Sequence, residues 1–171
     1  MIRELRPDDI PFVTATWLLN YRSHNPFAGD LRRDVYREQQ QTIIARLLRT
    51  ASGRVACDAG DENVIYGYTI YAPSVLHYLY VKEAFRKMGI GRQLLEAAGA
   101  QLPLLSYTHW TDAAQWVQAS DARLTYNPTL AFRGDTRGKR NEKRSTEGTS
   151  PSAGPRASDQ DADGKADQRG R

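Results

Sequence analysis

The sequence predicts a mixed α/β fold (an α+β arrangement), with one partly antiparallel sheet covered by helices. Two observations carry this. Three consecutive runs rich in β-branched and aromatic residues, "RVACDA" (54–59), "VIYGYTIYA" (64–72) and "VLHYLYV" (75–81), are separated only by the short turns "GDEN" and "PS", the pattern of an antiparallel meander. Segments with apolar residues at helical spacing precede and follow them, so the element order reads β-α-α-β-β-β-α-β-α-β. The strand after the meander is reached through a helix and is free to run parallel to its predecessor.

"MIRELR" alternates apolar and polar residues as a half-buried strand does, and Pro7 stops it. Asp8 or Asp9 can cap a helix with Ile10, Val13, Trp17, Leu18 and Tyr21 on its apolar side. "SHNPFAG" (23–29) reads as a loop, and Leu31, Val35, Ile43, Ile44, Leu47 and Leu48 mark a second amphipathic helix over about 30–49. After the meander, "GIGRQLLEAAGAQL" (89–102) reads as a helix and "LLSYTHW" (104–110) as a strand. "TDAAQWVQAS" (111–120) follows as a helix capped by Thr111, and "RLTYNPTLAF" (123–132) as a final strand that Pro128 disturbs.

The chain has 171 residues and a formal charge of +4. After Phe132 it contains no Val, Ile, Leu, Met, Phe, Tyr or Trp, and holds 10 Lys/Arg against 7 Asp/Glu. Such a segment buries too little apolar surface to offset the entropy of ordering it. The expectation is one domain over 1–132 and a disordered, charged, Gly/Ser/Pro-rich tail over 133–171. "RGKRNEKR" (137–144) could touch nucleic acid weakly, or an acidic partner, through non-specific charge, or simply keep the protein soluble. Cys57 is the single cysteine, which excludes an internal disulfide and a cysteine-based zinc cluster, and no metal is expected. With no visible signal peptide and no membrane-length apolar window, a cytoplasmic location is expected.

The chemistry-bearing stretch is "LYVKEAFRKMGIGRQLL". A strand ends in "LYV", Arg86 and Lys87 bring positive charge, and Gly89 and Gly91 let the backbone curve into a helix start. Amides at that start, with the helix dipole, favour a phosphate group. A glycine turn that serves only strand-helix packing is the plainer alternative. Neither a Walker motif nor the dinucleotide-binding glycine pattern occurs at this turn, so nucleotide readings lose ground.

Arg86-Lys87-Met88-Gly89-Ile90-Gly91 resembles the [Q/R]-x-x-G-x-[G/A] acetyl-CoA signature of the GNAT-type N-acetyltransferase superfamily, and Leu79-Tyr80-Val81 looks like its L-x-V strand. The element order over about 2–132 is similar to that family's, from the first strand and two helices to a last hairpin. The resemblance implies acetyl-CoA as co-substrate, with amides of Arg86, Lys87, Met88, Gly89, Ile90 and Gly91 on its pyrophosphate. It also implies that the backbone of Leu79 and Val81 pairs with the pantetheine arm, and that the strands splay beyond this point. The implied activity is transfer of an acetyl (or other acyl) group to an amine, on a small molecule or macromolecule, by direct attack in a ternary complex, in a monomer or homodimer.

The catalytic residues are harder to place. The resemblance implies a Glu on the fourth strand and a Tyr acid after the fifth, but strand 75–81 has no carboxylate, and the helix that would hold the Tyr offers Trp116 and Gln118. Alternation puts His77 on the face of Leu79 and Val75, where an imidazole could take a proton, or where it could be a half-buried strand residue. His109 is a second candidate. Tyr126, with Tyr107 behind it, is the candidate proton donor to the thiolate. Trp17, Tyr21, Arg22, Phe27, Arg32, Arg33 and Tyr36 interleave aromatic and basic groups on the acceptor side, suiting either an anionic or nucleobase-like acceptor or a packed helix pair. A nucleobase-modifying enzyme on this fold and a non-catalytic CoA-binding module are therefore the alternatives.

Overall fold

The first four strands pair antiparallel, and two short parallel strands are added beyond the fourth. The computed structural model describes residues 1–25, 28–99 and 105–132, and the tail expected over 133–171 lies outside the described residues. β1 (Ile2–Glu4), α1 (Ile10–His24), α2 (Arg33–Thr50), β2 (Ser52–Cys57), β3 (Ile65–Ala72) and β4 (Val75–Val81) lead to α3 (Ile90–Gly99), β5 (Ser106–Tyr107), α4 (Asp112–Ser120) and β6 (Thr125–Tyr126). The sheet order follows the chain, β1-β2-β3-β4-β5-β6. Neighbours are antiparallel up to β4, and both β4–β5 and β5–β6 are parallel. No described helix is long and apolar enough to cross a membrane.

Period-two alternation divides β2 between the two faces. Val55 and Cys57 join Val13, Trp17, Ile44 and Leu47 beneath α1 and α2, whereas Ala56 joins Leu94, Tyr107 and Ala114 beneath α3 and α4. Trp17 is fully buried and stacks on Tyr78 of β4, ring centroids 4.3 Å apart and planes at 19°. Asp9 starts α1 without capping it through its side chain. Its carboxylate instead accepts the Arg6 amide (2.8 Å) and two bonds from Arg3 (2.7 and 2.8 Å).

Several expected elements come out differently. α1 runs on to His24, into the segment read as a loop. The helix expected to reach residue 102 is described to Gly99, and 100–104 lie outside the described residues. The strand expected over 104–110 shortens to Ser106–Tyr107, because Thr108 and His109 turn their side chains to His77 and Gln40 and the chain then enters the Thr111 cap. The strand expected over 123–132 shortens to Thr125–Tyr126, and Pro128–Phe132 form a 3-10 turn. Pro128 has no N–H to donate to a ladder. The expected last hairpin is absent among the described residues, since β5 and β6 are parallel strands joined by α4.

β4 carries the departure that matters for function. Ile70 pairs with Tyr78, but the next residue, Tyr71, pairs with Leu76, so His77 is the extra residue of a bulge. Beyond it, β4 and β5 part. Their last backbone-to-backbone hydrogen bond is the Thr108 amide to the Leu76 carbonyl, 3.1 Å.

Candidate functional site

The parting of β4 and β5 opens a cleft of about 500 Å3. Its floor is Leu79, Tyr80 and Val81 at the end of β4, and one end is the turn Phe85, Arg86, Lys87, Gly89, Ile90, Gly91 and Arg92. The other walls are Asn20 and His24 of α1, with Thr111, Asp112, Ala113 and Trp116 at the start of α4.

The exposed backbone of the floor follows from strand geometry. The Lys82 amide donates to Tyr66 on β3 (2.8 Å), and N–H and C=O groups alternate between the two edges of a strand. Tyr80 therefore turns its backbone to β3, and Leu79 and Val81 turn theirs to the open side. The Val81 carbonyl there accepts the Arg86 Nε at 3.2 Å, which holds that guanidinium at the cleft.

At the turn, Lys87 and Gly89 have φ of 65° and 79°, and the chain enters α3 at Ile90. A helix leaves its first amides without intrahelical acceptors. The first such bond near this start is Gln93 N–H to the Gly89 carbonyl, 3.1 Å, so the amides of Ile90, Gly91 and Arg92 precede it. Gly91 has room: a Cβ there would meet Val81 and Leu79 side chains at 3.9 and 4.0 Å, ordinary contact distances. Donor amides, two glycines and the cations Arg86, Lys87 and Arg92 fit a pyrophosphate. The open edge of β4 fits an extended amide-bearing arm.

Of the candidate cofactor-binding residues, Leu79, Tyr80, Val81, Arg86, Lys87, Gly89, Ile90 and Gly91 line this one cleft. Met88 does not; the residue is 64% exposed.

The candidate catalytic residues lie elsewhere. His77 is buried in the bulge and is not part of the lining. Its Nδ1 lies 3.2 Å from Thr108 Oγ1, which is also 2.9 Å from His109 Nδ1, and His109 Nε2 lies 3.0 Å from Gln40 Nε2. An amide NH2 can only donate, so His109 Nε2 accepts. Its Nδ1–H then donates to Thr108, whose single hydroxyl hydrogen has two acceptors in reach, His77 Nδ1 and the His77 carbonyl oxygen at 3.4 Å. The accepting Nε2 keeps the His109 ring neutral. Burial pushes the His77 pKa down to about 4, and burial together with nearby His77 pushes His109 to about 3.

Tyr126 is at the sheet edge, 5.2 Å ring to ring from both Tyr107 and Trp110, and is outside the lining. Burial raises its pKa. Tyr107 is buried, and its hydroxyl donates to Gln118 Oε1, 2.9 Å.

The aromatic groups of the helix pair serve packing, whereas Arg32 and Arg33 are exposed. Trp17 and Tyr36 are buried, Tyr21 packs edge-on against His109 at 4.9 Å, and the Tyr36 hydroxyl donates to the Leu18 carbonyl at 2.9 Å. Arg22 lies over the Tyr36 ring (5.2 Å), and Arg32 pairs with Asp34. Phe27 lies outside the described residues.

Sequence reasoning missed Asn20, His24, Thr111 and Asp112 as cleft residues. Asn20 donates to the Tyr78 hydroxyl at 2.9 Å and so pins α1 to β4. His24 follows one helical turn later, a spacing visible in the sequence once α1 is known to continue that far.

The Acetyltransferase (GNAT) family model matches residues 17–122. The chain belongs to the GNAT acetyltransferase family. Its mixed α/β sheet with four helices is that of the GNAT acetyltransferases. Among solved structures, the apo form of YjaB from Escherichia coli is 22% identical, with a TM-score of 0.46, over 60% of this chain and 65% of that one. An acetyltransferase from Vibrio fischeri is 17% identical (TM-score 0.42) over 59% of this chain and 84% of that one. A candidate acetyl transferase from Pyrococcus furiosus is 15% identical (TM-score 0.48) over 92% and 99%. No curated protein gave a significant match.

Proposed function

We propose that this GNAT protein transfers the acetyl group of acetyl-CoA to an amine by direct attack of the amine on the thioester in a ternary complex. One observation carries the reading: the free edge of β4 and the N-terminus of α3 bound a single cleft, so an extended thioester arm and its pyrophosphate have adjoining sites. Arg86, Lys87 and the amides of Gly89, Ile90 and Gly91 hold the phosphates. The backbone of Leu79 and Val81 aligns the arm, and Trp116 covers it from α4. Holding donor and acceptor together supplies much of the rate by orientation alone. The acceptor enters between the end of α1 and the start of α4, because the turn and β4 are taken by the donor.

The aromatic groups that would suit a nucleobase acceptor are largely spent on the core, which favours a simple amine.

The test is calorimetry with acetyl-CoA, followed by mass spectrometry of a cell extract incubated with the protein and isotopically labelled acetyl-CoA. Binding together with label on a primary or secondary amine is expected. A protein that shows no heat of binding is not an acetyl-CoA enzyme, and binding without any labelled product leaves a non-catalytic CoA-binding module.

A further inference from the structure

His24 and Asp112 face each other across the mouth of the cleft, from the last turn of α1 and the first turn of α4. His24 Nε2 lies 3.7 Å from Asp112 Oδ2, and both residues line the cleft. The other side of the imidazole is fixed: Nδ1 lies 2.8 Å from the Asn20 carbonyl oxygen and 2.9 Å from Ser23 Oγ. A carbonyl oxygen only accepts, so at 2.8 Å Nδ1 must carry a proton. The Ser23 hydroxyl directs its own hydrogen to the Leu19 and Asn20 carbonyls, at 3.2 and 3.0 Å. In the neutral ring the lone pair is therefore on Nε2, at the cleft and facing a carboxylate. At 3.7 Å the pair is too long for a hydrogen bond, and the carboxylate attracts the ring by charge only once Nε2 is protonated.

We infer that His24 is a catalytic residue of this cleft, its Nε2 taking the proton of the attacking amine, with Asp112 as the positioning residue that stabilises the imidazolium formed. The assignment rests on the acetyl-transfer reading above. The amine nitrogen bonds to the thioester carbonyl carbon as His24 Nε2 takes one N–H proton. The C–S bond then breaks, and the CoA thiolate leaves and is protonated by the imidazolium, which regenerates neutral His24. Nothing besides donor and amine is consumed. The groups at hand suit this role. The His24 side chain is 29% exposed, accessible without being fully solvated, whereas that of Asp112 is 77% exposed and reaches His24 from the opposite wall. This supplies the proton acceptor that β4, lacking a carboxylate, does not.

The experiment follows release of the CoA thiol from acetyl-CoA, with hydroxylamine as a small nucleophile that needs no acceptor pocket, beside calorimetry with acetyl-CoA. His24→Ala is expected to lower turnover about 100-fold or more while the acetyl-CoA Kd stays within about twofold, and added imidazole is expected to restore part of the lost rate. Asp112→Asn is expected to cost less than His24→Ala, lowering kcat with KM for acetyl-CoA unchanged. Nitrogen-15 NMR of the imidazole, read without any acceptor, is expected to find the neutral ring protonated at Nδ1. Equal turnover by His24→Ala, no enzyme-dependent thiol release although acetyl-CoA binds, or a neutral ring protonated at Nε2 would each overturn the assignment. Failure of the wild-type protein to bind acetyl-CoA would instead overturn the acetyl-transfer reading, and this inference with it.

Discussion

Leu76 and Leu79 pack into the same core cluster beneath α3 and α4 although three positions separate them on β4. In an unbroken strand an odd spacing places side chains on opposite faces. The bulge at His77 absorbs the extra residue and resets the alternation. It also coincides with the end of pairing to β5, so one irregularity both repacks the core and opens the cleft.

The buried pair His77 and His109 predicts loss of stability in mild acid. Both are held neutral by burial, with pKa values of about 4 and about 3 against an ordinary 6.5. These folded values are depressed, so below about pH 6.5 the unfolded chain takes up protons that the folded chain refuses. The stabilisation is complete above that pH and is lost progressively as pH falls toward 4 and then 3. Between pH 7 and 5 each histidine is expected to cost about 2 kcal/mol. Urea melts at the two pH values check this, and His109→Gln should flatten the dependence. A wild-type midpoint that does not move would contradict the buried neutral pair.

The meander and its flanking helices were legible because alternation and 3.6-residue spacing are local signals. β4 was read to its exact bounds for that reason, and Thr111 was read as a cap because its hydroxyl serves an amide only three residues on, at 3.2 Å. The bulge was not legible. Nothing in "VLHYLYV" marks His77 as unpaired; only the pairing with β3 and the hydrogen bond to Thr108 hold it there. That single displacement moves His77 off the face that strict alternation assigns to it. The glycine turn was legible as a motif because backbone conformation depends on residue type. His24 and Asp112, 88 positions apart in sequence, meet only through the docking of α1 against α4's end of the sheet.

The two glycines of the turn are expected to differ sharply. Gly89 has φ of 79°, and a side chain there would meet only the Gln93 side-chain amide, at 4.0 Å, but on a strained backbone. Gly89→Ala is expected to cost about 1–2 kcal/mol and to weaken acetyl-CoA binding by distorting the amides at the α3 start. Gly91 lies in α3 with only ordinary contacts awaiting a Cβ, and helix propensity favours alanine there. Gly91→Ala should therefore melt at the same temperature as wild type or slightly higher and bind acetyl-CoA normally. Thermal melts with and without acetyl-CoA separate the two, and similar behaviour by both variants would refute the backbone argument.

Arg86 is expected to act through charge on the phosphates. Its Nε is tied to the Val81 carbonyl at 3.2 Å, which orders the guanidinium beside the amides without neutralising it. A charge-assisted hydrogen bond is worth about 1.5–3 kcal/mol, so Arg86→Ala should weaken acetyl-CoA binding by about 10- to 100-fold. Part of that loss should be electrostatic and shrink with added salt. Calorimetry at low and high salt measures it, and an affinity unchanged at low salt would remove Arg86 from the site.

Trp116 offers a direct optical reading of the cleft. Trp17 is fully buried against Tyr78, and Trp110 packs beside Tyr107 and Tyr126, outside the lining. Trp116 alone of the three tryptophans lines the cleft, with 49% of its surface exposed. A ligand laid along the β4 edge must cover part of that indole and replace water around it. Adding CoA is therefore expected to change the emission, with a quench or a shift to shorter wavelength that saturates at the calorimetric Kd. Trp116→Phe should abolish the change while leaving affinity within a few-fold, since a phenyl ring still covers the arm. If Trp116→Phe keeps the full optical response, CoA perturbs Trp17 or Trp110 instead and does not lie between β4 and α4.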